Sequence, residues 1–204
     1  MQQNFKRGKK VKNKIRATII GLTLIGATLS AEILPYQYDE NSLIGVEGGY
    51  STLDYNKASQ SIQSVKLLNA GLKIGAESKN FRVFLSGRYF QDSTAEFKQL
   101  TTFGGELQYK FISLETFNLF VGANGGYANV RFDTGDGFGT RSTSTSYFGA
   151  DIGANIHLGQ NMDLELGSRI ISLQATHVSN TFGNYYIDKI MNIYVSLIFK
   201  WTAK

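Results

Sequence analysis

The chain has 204 residues, enough for one good core, and cysteine is absent, so a disulfide framework and a thiolate metal site are excluded. Glycine is 22 of the 204, above the usual share of about 7%, and proline occurs once, at Pro35. A net charge of +5 and a pI near 9.3 would suggest a nucleic-acid partner, but seven of the 21 Lys and Arg (Lys6, Arg7, Lys9, Lys10, Lys12, Lys14 and Arg16) crowd into the acid-free stretch 1–16.

That basic run is followed at 17–31 by "ATIIGLTLIGATLSA", giving a charged region, a short apolar region and a small-residue exit. This is the pattern of a secretory signal peptide, and its 15 apolar-run residues fall short of the ~20 that span a bilayer as a helix. We expect cleavage after Ala31, leaving a short N-terminal segment at 32–42 and one folded domain at 43–204. The mature chain then holds 14 basic and 16 acidic residues, a net charge of −2. Removing the leader therefore removes the case for nucleic acid.

From residue 43 onward the hydrophobic period is two, the period of a strand whose faces differ. Strands are predicted at 43–53, 65–76, 81–91, 101–111, 117–132, 146–158, 162–174 and 189–201. In the second, Leu68, Ala70, Leu72, Ile74 and Ala76 oppose Asn69, Lys73 and Glu77. In the third, Phe81, Val83, Leu85, Gly87 and Tyr89 oppose Arg82, Phe84, Ser86 and Arg88. The fourth sets Phe103, Leu107, Tyr109 and Phe111 against Thr102, Glu106, Gln108 and Lys110. The seventh, "DLELGSRIISL", interleaves Asp163, Glu165 and Arg169 with Leu164, Leu166 and Ile170. The last sets Met191, Ile193, Val195, Leu197, Phe199 and Trp201 against Asn192, Ser196 and Lys200.

Connection lengths alternate too. Short turns at 77–80, 112–116 and 159–162 face longer polar links at 54–64, 92–100, 133–146 and 177–189. Strands of about ten residues, short turns at one end and long links at the other describe an eight-stranded antiparallel up-and-down transmembrane β-barrel. The charged face is then the lumen, where Glu47, Lys73, Arg82, Arg88, Glu106, Lys110, Asp151, Asp163, Glu165 and Arg169 are expected to pair, since an isolated buried charge is costly. On the apolar face, Tyr50, Tyr89 and Tyr127 lie toward the long links, and Phe81, Tyr109, Phe111, Phe199 and Trp201 toward the short turns. Two such aromatic girdles suit the two interfaces of a bilayer.

On "DLELGSR" (163–169) and the alternating aromatic close "IYVSLIFKW" (193–201), the chain resembles the small outer-membrane β-barrels of the OmpA-like, OmpX-like and opacity-type group. Many of these end on the terminal aromatic, whereas "TAK" follows Trp201 here. The resemblance implies a monomer in the outer membrane of a Gram-negative bacterium. Its implied partners are outer-membrane lipid and lipopolysaccharide, the barrel assembly machinery, and a host or cell-surface ligand met by the exposed loops in an adhesion-like role.

Two other functions are expected less. The lumen charges could line a narrow ion channel, but an eight-stranded barrel is just wide enough to be filled by side chains. "HVSN" at 177–180 resembles the His-x-Ser pair of outer-membrane lipid A deacylases, which would make His177 and Ser179 catalytic. A Ser–His hydrolase also needs an acid to orient the imidazole, and the only one close by is Asp188. We therefore expect no enzyme. No metal and no cofactor are expected either: His157 and His177 fall at opposite rims, and "DTGDGFG" at 133–139 lacks the bidentate Glu of a calcium loop.

Overall fold

The computed structural model describes residues 40–57, 63–91, 97–133, 140–180 and 183–202. The expected leader at 1–31, most of the segment up to residue 42, and the glycine-rich stretch 134–139 lie outside them. The strands are β1 (Asn41–Lys57), β2 (Gln63–Glu77), β3 (Phe81–Gln91), β4 (Phe97–Ser113), β5 (Phe117–Asp133), β6 (Thr140–His157), β7 (Met162–Asn180) and β8 (Gly183–Thr202). Each pairs antiparallel with its sequence neighbours, and β8 returns to β1 to close the barrel. Closure leaves no unpaired edge, the condition for sheet structure to survive in hydrocarbon.

At the short-turn end, the Ser78 N–H donates to the Phe81 carbonyl at 2.8 Å, Leu114 to Phe117 at 2.8 Å, and Leu158 to Met162 at 3.0 Å. These closures set the register so that the apolar set of every strand lies on one surface. The polar sets of β2 and β3 are thus aligned by Lys73 opposite Ser86 and Glu77 opposite Arg82.

The long links are shorter than predicted. β6 begins at Thr140 rather than near 146, β7 runs to Asn180, and β8 starts at Gly183 rather than 189. Much of the predicted loops 133–146 and 177–189 is therefore strand, paired as Asp133 with Thr140 and Asn180 with Gly183. The cause is physical: "TRSTSTS" is wetted on its outward face, so no apolar alternation marks it, while Ser and Thr still suit an extended backbone held by a neighbouring ladder. β1 likewise starts at Asn41, which pairs with Glu77 and Thr202.

Candidate functional site

All ten charges expected in the lumen are buried there. Four of them, from β1, β3, β4 and β7, form an alternating ring across the barrel. Arg88 Nε donates to Glu47 Oε1 at 2.9 Å, and Arg88 Nη2 donates to Glu106 Oε2. Arg169 Nη1 donates to the same Glu47 oxygen at 3.1 Å, and its Nη2 to Glu106 Oε2 at 3.0 Å. The Arg169 guanidinium also lies 4.3 Å from the centre of the Tyr194 ring. Two carboxylates bridging two guanidiniums through planar, charge-assisted bonds make a rigid cross-brace.

Toward the short turns a second cluster follows. Lys73 Nζ donates to Glu165 Oε1 at 2.6 Å, and Gln108 Nε2 bridges Glu106 and Glu165 at 2.9 and 3.2 Å. Arg82, with 0% exposure, donates through Nε to Glu77 at 2.7 Å and through Nη2 to Asp163. Lys110 reaches Glu77 at 3.3 Å, Lys200 reaches Asp163 at 2.7 Å, and His157 Nδ1 lies 2.8 Å from Asp163 Oδ1.

Glu77, Lys200 and His157 thus join the network without having been predicted in it. Their strand phase was the available signal, since each falls on the charged set of its strand. Asp151 departs from the expected pairing. It accepts from Asn124 Nδ2 at 3.0 Å, but it has no ion pair among the described residues, and its Oδ2 is buried without a partner.

Sequence reading set Phe84 on the lumen face with Arg82 and Arg88 but missed the other rings inside the barrel. Phe84, Phe90, Phe120, Tyr147 and Tyr194 are all buried. Tyr194 and Phe120 each lie over a glycine of the adjacent strand: a Cβ on Gly167 would stand 2.5 Å from the Tyr194 ring, and one on Gly153 would stand 2.7 Å from Phe120. Glycine is needed at both places because the ring occupies the space of a side chain.

At the long-link end the interior turns apolar. Leu53, Leu67, Phe90, Leu100, Val130, Ile171 and Ile190 pack together there with Tyr147, Leu173 and Ile187. This layer lies above the charges, toward the long links.

The outer wall is the inverse of the lumen. From Ser42 to Tyr50 on β1, and over the corresponding lengths of the other strands, every outward residue is uncharged; the first outward charge on β2 is Lys66, opposite Thr52. Exposed apolar side chains such as Leu72, Leu85, Ile152 and Ile193 make up the middle of this wall. From Met191 to Trp201 the belt runs roughly 33 Å along the strand at ~3.3 Å per residue. A tilt of about 40° reduces that to about 25 Å, the height of an outer-membrane barrel's apolar band.

The eight aromatics expected at the rims are all exposed. Phe81 and Tyr109 stand opposite one another with ring centroids 5.2 Å apart. Phe103 and Phe148 join the upper group, at 60% and 57% exposure.

No protein-family model matches the chain, and no curated protein matches it. Among solved structures it is similar to Neisserial surface protein A, with 14% identity over 78% of this chain and 97% of that one and a TM-score of 0.59. The solution structure of outer membrane protein H (OprH) of P. aeruginosa in DHPC micelles matches with 19% identity, 79% and 99% coverage, and a TM-score of 0.54. Ail, the attachment invasion locus protein of Yersinia pestis, matches with 10% identity, 80% and 99% coverage, and a TM-score of 0.50. The fold is that of the small eight-stranded outer-membrane β-barrels.

In this barrel the interior carries a charged network below and an apolar layer above. His177 and Ser179 lie on β7, where their backbones pair with Tyr186 and Asn184 of β8. Their side chains fall outside the described residues.

Proposed function

We propose that the chain is an integral outer-membrane protein of a Gram-negative bacterium, exported by its N-terminal leader and inserted by the barrel assembly machinery. Its barrel is a closed, non-conducting scaffold that works as a monomer, with the short turns in the periplasm. The strand extensions and links at the other end face outward and make adhesion-like contacts with host or cell-surface ligands.

One observation carries this reading. Among the described residues the outward face has no charge from Ser42 to Tyr50 and over the matching lengths of the other strands, while six acidic and six basic side chains are buried in the lumen. A soluble barrel places these surfaces the other way round, because exposing such a large continuous apolar wall to water is unfavourable at about 25 cal/mol per Å². The apolar layer around Phe90 and Ile171 supports a sealed lumen over a channel.

The test is electrophoresis of the protein from an outer-membrane fraction, with and without boiling in detergent. A closed membrane barrel keeps its fold unheated and changes mobility on boiling. Identical mobility, with the protein in the soluble fraction, would reverse the assignment of faces.

A further inference from the structure

Within the apolar belt every strand is laddered on both sides, but above it β6 and β7 part company. Among the described residues their shared ladder ends at Tyr147 opposite Leu173. Beyond that pair β6 runs on to Thr140 held by β5 alone, and β7 runs on to Asn180 held by β8 alone. β8 itself stays paired with β1 as far as Lys57 opposite Tyr185, so the free edge on that side is the edge of β7.

Irregularities stand at the same level. The β7–β8 register shifts between Ser172 and Thr176, and the β1–β8 register between Asp54 and Tyr55. On β8 the alternation breaks, with Asp188 and Lys189 both exposed between buried Ile187 and Ile190. A bulge bends its strand and adds twist, so the β7–β8 ribbon turns out of line with β6 there and the common ladder stops.

Just above the last ladder pair, two bonds cross the seam and both end on one exposed residue. Thr145 Oγ1 donates to the Gln174 carbonyl at 2.9 Å, and Ser146 Oγ donates to Gln174 Oε1 at 2.9 Å. Beneath them Tyr147 and Leu173, each 3% exposed, pack into the apolar layer with Val130 and Ile187.

We propose that the long-link end opens along this seam. The β5–β6 and β7–β8 ribbons separate above Tyr147 and Leu173 as two arms, and Gln174 is the latch between them. The inference rests on the reading that this end makes the outward contacts, and it adds how that surface is regulated. A ligand gripped by both arms meets a gap that varies, whereas a ligand held by one arm does not. The latch yields because each of its hydroxyl bonds is worth little net where water replaces it. The belt below stays shut because its ladder bonds lie in hydrocarbon, where no water replaces them. The last ladder pair, Tyr147 with Leu173, is therefore the pivot.

The chain has no cysteine, so pairs of introduced cysteines take nitroxide labels without competition. The measurement is the distance distribution by double electron–electron resonance, on the barrel folded in zwitterionic detergent micelles. Ser144→Cys with Tyr186→Cys spans the seam from β6 to β8, and Ser144→Cys with Thr101→Cys spans the unbroken ladder from β6 to β4. Gln174→Ala and Ser146→Ala delete opposite sides of the same bond. Each raises the longer-distance population of the seam pair about threefold and leaves the ladder pair unmoved. A seam pair that neither variant shifts, or an equal shift in the ladder pair, would overturn the proposal. Gel mobility before and after boiling checks that every variant is a closed barrel. A missing heat shift in wild type itself would sink the membrane reading, separately from the seam.

Discussion

At the scale of single residues, Arg169 and Asp151 face each other across the β6–β7 register yet stand in opposite circumstances. Arg169 binds Glu47 and Glu106, so replacing it with methionine leaves two buried carboxylates with Arg88 as their remaining ring partner. Arg169→Met should destabilise the barrel by about 3–5 kcal/mol, measured by urea unfolding from lipid vesicles. Adding Glu106→Gln should restore part of the loss, because the uncompensated charge goes with it. Asp151 bonds only to Asn124 and keeps one oxygen without a partner. Asp151→Asn should therefore unfold within about 1 kcal/mol of wild type or at higher urea, since it removes a buried charge that makes no direct ion pair among the described residues. A large loss in that variant would show that Asp151 has a role the ion-pair geometry does not contain.

At the scale of the strand, glycine and ring are coupled across neighbours. Tyr194 on β8 stands opposite Gly167 on β7 and lies over it. Gly167→Ala should cost about 1–3 kcal/mol through overpacking, while the same change in a Tyr194→Ala background should cost much less. A double-mutant cycle by urea unfolding measures that coupling, and additivity of the two changes would show that the ring moves aside freely. The strand extensions belong to this scale too. β6 and β7 continue beyond the belt because β5 supplies the ladder for the one and β8 for the other, so their length depends on pairing rather than on burying an apolar face.

At the scale of the whole molecule, the two layers of the lumen act in series. Charged side chains brace the lower part, and the apolar layer with Leu53, Phe90 and Ile171 packs the upper part. The intact protein should be silent in planar bilayers at physiological salt, and steady single-channel steps would contradict a sealed scaffold. The inverted arrangement, polar inside and apolar outside, also predicts that the barrel unfolds cooperatively, because every strand contributes to the wall and the cross-brace ties β1, β3, β4 and β7 together.

The period-2 pattern by itself determined the number of strands, their approximate membrane-spanning lengths and which side chains share a face, because alternation is a local property of an extended chain. It placed Glu47, Arg88, Glu106 and Arg169 on the charged face. Which carboxylate meets which guanidinium was decided only by closure of the barrel, since those four residues come from β1, β3, β4 and β7 and their mutual positions depend on register around the circle. The same holds for Tyr194 over Gly167, which in sequence is an aromatic and a glycine 27 positions apart. The ends of β6, β7 and β8 were illegible for a different reason: above the belt the outward side meets water, the apolar alternation fades, and only the hydrogen-bonding partner strand determines where the backbone stops being sheet.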